Sequence, residues 1–341
     1  MREKLINSIK YLIFGFLAIL LLALAVKNQN PKELFQSLAS LEMKWIYLSI
    51  MLGALAIIVR GIRWVHMIRP LGYKCKISNS INAVAIGYLT NLAIPRAGEI
   101  SRCTTLKIKE NIPVDKLFGT VIAERAIDLL AIISLLLVMF IIKLEKINIF
   151  FNDVFSKFQT FFFEIFDSFL HSDKLIVLFV FILLAILSVF FVYLMKKQSS
   201  TFIIKIKAFF TGIKEGFISV KRIKNKTAFW IHTGLIWSLY ALMTYICFFA
   251  IGETNSLIFI DGVYIMVIGG IGMIVPTPAG FGSYHLATKL GLMSLGIGAD
   301  SALIFAFAVH TAQTLMALFF GAISLALLFI SKNNAKDAIN Q

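Results

Sequence analysis

Two stretches of this sequence are too apolar for water and too short to span a membrane. The first runs from Ile81 to Ile94, stops at Pro95-Arg96-Ala97-Gly98 and resumes as a second short limb. The other runs from Ile258 to Val275, stops at Pro276-Thr277-Pro278-Ala279-Gly280-Phe281-Gly282 and resumes to about Leu295. Proline removes a backbone donor and clashes with the preceding turn, while glycine tolerates almost any backbone angle, so each stretch reads as a broken helix. Most of these limbs fall short of the roughly 20 residues that cross a bilayer. A hairpin entering and leaving by one face fits such lengths. Irregular backbone at membrane depth survives only where protein or water covers it, so both turns should line a cavity.

The rest of the chain supplies the bilayer. Hydrophobic residues make up 59% of the chain and charged ones 15%, with a mean hydropathy of +0.87. Soluble domains average roughly half apolar and a quarter charged, so this is an integral membrane protein. A net charge of +15 would suit nucleic acid, but the cations cluster in short connections between apolar runs, as cytoplasmic loops do. Cys75, Cys103 and Cys247 are far apart and the histidines form no paired motif, so neither a disulfide framework, a metal site nor a cofactor is expected. No polar stretch is long enough for a soluble domain.

The expected architecture is all-α, with about six full transmembrane helices and two re-entrant hairpins, in a single polytopic domain over residues 1–341. The spans are Tyr11–Val26, Trp45–Val65, Leu117–Ile142, Leu175–Met195, Phe229–Ile251 and Ser301–Ile330, and their parity leaves both termini in the cytoplasm. The first half, 1–143, holds the hairpin 79–110, flanked by lysines and so entering from inside. The second half, 174–332, holds the hairpin 257–296, flanked by Glu253, Asp261 and Asp300 and so entering from outside. Interfacial helices are expected over 150–169, which is rich in phenylalanine, and 202–224, which is basic. Arg60 and Arg63, late in the second span, are read as snorkelling to headgroups. Paired interrupted segments in corresponding halves point to an inverted repeat with substrate held where the breaks meet.

Charge inside the apolar runs marks the candidate site. Arg96, Glu99 and Arg102 flank the first break, with Glu99 and Arg102 three apart and able to pair on one helix face. Glu124, Arg125 and Asp128 interrupt the run from Leu117 to Ile142. Ionisable groups at that depth cost a few kcal/mol or more unless they meet a partner or a wet cavity. The alternative is a structural ion pair that fixes helix register. Helix ends at the breaks present unpaired N–H groups that suit anions such as a lipid phosphate.

Three motifs carry a resemblance. The N-x-x-x-P-R-x-G-E-x-x-R run from Asn91 to Arg102, the E-R-x-x-D of Glu124, Arg125 and Asp128, and the P-x-P-x-G-x-G from Pro276 to Gly282 resemble the lysylphosphatidylglycerol synthase transmembrane family. The resemblance covers nearly the whole chain. It implies a flippase-like domain of the bacterial cytoplasmic (inner) membrane, without the aminoacyltransferase that some members carry. Two departures stand out: the family usually has Gly-Gly at Ala279-Gly280, and often Glu at His285. Together, motif and charge nominate Asn91, Pro95, Arg96, Gly98, Glu99, Arg102, Glu124, Arg125, Asp128, Pro276, Pro278, Gly280, Gly282, Tyr284, His285, His310 and Gln313 as substrate-binding residues, none of them catalytic. Arg96 and Arg102 would hold the phosphate.

The expected activity is movement of an anionic, aminoacylated or polyprenyl-linked lipid between leaflets, with a second copy or a synthase as a further candidate partner. Two competing readings are an intramembrane transferase acting on a lipid-linked substrate and a non-transporting envelope-assembly partner.

Overall fold

The computed structural model describes residues 19–26, 38–94, 96–170, 218, 220–275 and 277–337. Within these residues the regular structure is helical. Apolar runs have no other choice in a bilayer unless they close a barrel, because each backbone polar group must be satisfied within the chain. Among the described residues four helices are long and apolar enough to cross a membrane: Met43–Leu71, Val114–Ile142, Lys226–Ala250 and Ala299–Ile330. Of the remaining expected spans, 19–26 is the helical end of the first, and Leu175–Met195 lies outside the described residues, as does most of 202–224.

The helices are α1 (Met43–Ile68), α2 (Ile77–Ala93), α3 (Gly98–Glu110), α4 (Val114–Ile142), α5 (Leu144–Leu170), α6 (Lys226–Cys247), α7 (Phe259–Gly272), α8 (Ser283–Ser294) and α9 (Ala299–Asp337). The first hairpin is α2 and α3. Its limbs cross at two glycines: a β-carbon on Gly98 would sit 2.2 Å from the Gly87 carbonyl oxygen. The second hairpin, α7 and α8, is equally tight, and a β-carbon on Gly272 would meet the Ser283 carbonyl at 2.8 Å. α9 packs against both hairpins, with Gly321 against Leu89 of α2.

α4 orients the two hairpins. Its 29 residues extend about 43 Å. α3 joins its start through Asn111–Pro113, where proline stands just ahead of the first turn and costs no intrahelical bond. Just past its other end, Lys143 Nζ lies 2.7 Å from Asp261 Oδ1 in the first turn of α7. The hairpins therefore open at opposite ends of α4 and point their breaks at one another.

The phenylalanine-rich helix begins at Leu144, earlier than the expected 150. Ile147 and Phe150 are buried against the second hairpin, and the Tyr264 hydroxyl donates to the Lys146 carbonyl at 3.3 Å. Phe151 and Phe155 remain exposed. On the other side of that hairpin, Lys289 Nζ donates to the Ala25 carbonyl at 2.7 Å, fixing the first helical segment to α8.

Candidate functional site

The first break is made by three residues in unlike backbone states. Ile94 is extended, Arg96 is left-handed (φ 62°), and Ala97 returns to helical angles. The Gly98 N–H at the start of α3 donates to Asn91 Oδ1 at 2.7 Å, so Asn91 ties the two limbs together. The second break has three residues of positive φ within four positions: Ala279 (φ 52°), Gly280 (φ 76°) and Gly282 (φ 81°). The Thr277 and Ser283 hydroxyls bond across it at 3.0 Å, and His310 Nε2 of α9 donates to the Ala279 carbonyl at 2.9 Å. The Arg96 guanidinium donates to the Ile274 carbonyl at 3.1 Å. The tips of the two hairpins thus meet.

Behind the tips lies a buried charge cluster. Arg63 and Glu124 are fully buried, with Arg60 5% and Arg102 4% exposed. Arg60 Nη2 donates to Asp128 Oδ2 at 2.7 Å, and Arg63 Nη2 bridges Asp128 Oδ1 at 2.9 Å and Glu124 Oε1 at 3.1 Å. Arg125 Nη2 donates to Glu124 Oε1 at 3.1 Å. Arg102 faces Glu124 Oε2 at 3.1 Å as an ion pair whose angle does not make a hydrogen bond, and its guanidinium lies 4.6 Å over the Trp64 ring. Four guanidinium groups thus surround two carboxylates, leaving two positive charges in excess. The same geometry corrects the snorkelling expectation for Arg60 and Arg63. Both turn inward because Glu124 and Asp128 on α4 repeat at a helical turn and meet their own turn on α1.

Beside the cluster, between the tips, is a cavity of about 600 Å3. Of the nominated residues, Asn91, Arg96, Glu99, Arg125, Asp128, Gly280, Tyr284, His310 and Gln313 line it. Gly98, Arg102, Glu124, Pro278, Gly282 and His285 do not, while Pro95 and Pro276 lie outside the described residues. His285 is wholly buried, its Nδ1 accepting from the Gly282 N–H at 3.3 Å and its ring 4.6 Å from that of His310. It supports the second break from behind. Arg102 is committed to Glu124 and not to Glu99, so the expected pair along α3 does not form. Glu99 Oε2 is buried with no hydrogen-bond partner among the described residues.

Several lining residues carry no sequence motif. The Tyr88 and Tyr240 hydroxyls bond at 3.1 Å, Arg60 Nη1 donates to Tyr88 at 3.3 Å, and Trp237 sits beside them. Arg60 had a legible signal: Arg60 and Arg63 are three apart on one span, Glu124 and Asp128 four apart on another, so two helix faces of opposite charge were available to pair. The tyrosines had none, since aromatic residues in a span are ordinary core.

Residues 8–321 match the family described as Lysylphosphatidylglycerol synthase TM region. The UPF0104 membrane protein MJ1595 of Methanocaldococcus jannaschii is 23% identical over 321 residues, 87% of this chain and 88% of that one. Glycosyltransferase AglD of Haloferax volcanii is 32% identical over 120 residues, 35% of this chain but 19% of its own length. No solved structure matches the chain.

Proposed function

The chain belongs to the Lysylphosphatidylglycerol synthase TM region family, and from that premise we propose that its cavity takes the headgroup of a phosphate-bearing lipid and passes it between leaflets. The observation that carries this reading is the meeting of two broken helices, opening at opposite ends of α4, around a cavity of about 600 Å3 with an excess of positive charge at its wall. Unmatched charge at membrane depth is costly, and an anionic headgroup would neutralise it. Arg60 and Arg125 line the cavity, and the Nε–H of each is buried with no acceptor among the described residues. Arg96 lines the cavity as well, whereas Arg102 does not and faces Glu124, so Arg60 and Arg125 take the place expected of Arg102 at the phosphate. Glu99 would meet a hydroxyl or ammonium group at the other end of the head. Removing the headgroup from water is the main barrier to crossing a bilayer, and a cavity that supplies these partners lowers it.

A second reading, a transferase acting on a lipid-linked substrate, is favoured by the stretch similar to a protein named as a glycosyltransferase. Carboxylates such as Glu99 would serve as bases. Both readings are tested on protein reconstituted in vesicles. Passage of labelled phospholipid between leaflets, without chemical change, supports translocation; turnover of a lipid-linked sugar with no lipid passage supports the transferase.

A further inference from the structure

α4 and α7 run antiparallel past the cavity and touch along part of their length. Lys143 and Asp261 join them at one end. About three turns further in, a β-carbon on Gly270 would meet the tip of Ile132 at 2.9 Å and no other atom of the described residues within 4 Å. Beyond that contact the rim of the cavity consists of Leu129, Met273 and Ile274, which are 52%, 48% and 55% exposed. Arg125, with its side chain 40% exposed, stands one turn further along α4. The cavity-facing side of α4 therefore changes from charged (Arg125, Asp128) to apolar (Leu129, Ile132) within two turns, and Leu129 on the apolar part is half exposed.

We propose that this gap between α4 and α7 is a binding site for the hydrocarbon chain of the lipid whose head fills the cavity. The inference rests on the lipid reading above and adds where the tail lies: on Leu129, Ile132, Met273 and Ile274, with Gly270 leaving the passage open. A head at Arg125 continues directly onto this apolar rim, because Leu129 and Ile132 follow Arg125 along the same face of α4. Burying a chain on an apolar rim is favourable in proportion to the area covered. A leucine at Gly270 would fill the passage, because among the described residues the neighbour within reach is the flexible end of Ile132.

The test uses purified full-length protein in mild detergent and native mass spectrometry with two probes of one head, dioleoyl and dihexanoyl phosphatidylglycerol. Wild type is expected to hold the dioleoyl lipid at least about tenfold more tightly. Gly270→Leu is expected to abolish that preference while still binding the dihexanoyl probe. Leu129→Asn, at an exposed position that need not disturb folding, is expected to do the same, and Gly234→Leu, on an open face of α6, to leave the preference intact. A preference that survives both rim substitutions overturns the assignment, as does equal binding of both probes by wild type, which spares the headgroup reading. Loss of both probes in both rim variants, each still folded, places the rim in the headgroup site and also overturns it. Binding of neither probe by wild type removes the headgroup reading and the tail site with it.

Discussion

Arg96 and Ile274 are separated by 178 residues and joined by one hydrogen bond of 3.1 Å. The carbonyl belongs to the last turn after α7, where helix ends leave acceptors unpaired and favour a cation. The donor sits in a left-handed turn (φ 62°) that only the break at Pro95-Arg96-Ala97-Gly98 provides. Each hairpin thus completes the tip of the other. A wall made from two such tips exists only when both are seated, which is why the cavity, its charge cluster and its tyrosines form one unit.

The charge cluster sets a large part of the local stability. Glu124 is fully buried against Arg63, Arg102 and Arg125. Glu124→Leu should cost about 3–5 kcal/mol, because it strands buried guanidinium groups. Arg125→Leu should cost far less, since that side chain is 40% exposed and Glu124 keeps its other partners. Thermal unfolding in detergent reads both; a Glu124→Leu protein as stable as wild type would contradict the cluster as described.

Ala279 occupies a left-handed conformation (φ 52°) that costs an L-residue about 1 kcal/mol and glycine nothing. Ala279→Gly should therefore be neutral or stabilise the chain by up to about 1 kcal/mol, despite the extra freedom of the unfolded glycine. Ala279→Val should destabilise it by more than that. The melting temperatures of the two variants, compared with wild type, decide the matter, and a stabilising valine would exclude the left-handed turn.

The hairpins open at opposite ends of α4, and their bases are marked by exposed Ile108 and Ile258. With the native cysteines replaced, Ile108→Cys should react with a membrane-impermeant maleimide from one face only and Ile258→Cys from the other only. Reaction of both from a single face would mean that the hairpins share an entrance. Cys75, Cys103 and Cys247 are buried, and burial pushes the Cys75 thiol up to about 12, so wild type should label slowly.

Much of this arrangement was legible in the sequence, and what was not has a common cause. Helix breaks, spans and charged positions are local: proline and glycine stop a helix whatever surrounds them, and the first limb ends at Ala93, beside the expected break, while α7 ends at Gly272, three residues before the expected Val275. Pairing is not local. Glu99 and Arg102 could meet along α3, but Arg102 found Glu124 on α4, because a buried carboxylate draws the nearest cations from every helix around it. Arg60 and Arg63 read as interfacial from their place in the span, and only the packing of α1 against α4 turns them inward. The contribution of Tyr88, Tyr240 and Trp237 follows from packing alone. His285 could be nominated by its place in the motif, but not its burial behind His310.

One peripheral contact has a pH signature. The Ser301 hydroxyl and then the Gly298 N–H hold the Glu253 carboxyl below the usual carboxylate range, where the chain enters α9. A depressed carboxyl stabilises the fold above its unfolded pKa of about 4.3 and loses that contribution as pH falls through the lower folded value. The group is largely exposed, so solvent screening limits the effect to about 0.5 kcal/mol. Glu253→Gln should melt slightly below wild type at neutral pH, and the difference should disappear in acid. A difference unchanged across that range would rule out the carboxylate as its source.

Lipid passage is the claim on which the rest depends. Purified protein would be placed in vesicles carrying a trace of phosphatidylglycerol labelled on one acyl chain, and the label destroyed from outside by an impermeant reductant. Wild type should expose the inner-leaflet label to the reductant, whereas folded Arg125→Ala and Glu99→Gln proteins should leave most of it protected. Protection in wild-type vesicles equal to that in protein-free ones, across a range of lipid headgroups, would contradict translocation. Passage that persists undiminished in both variants would show that the lipid does not travel through this cavity.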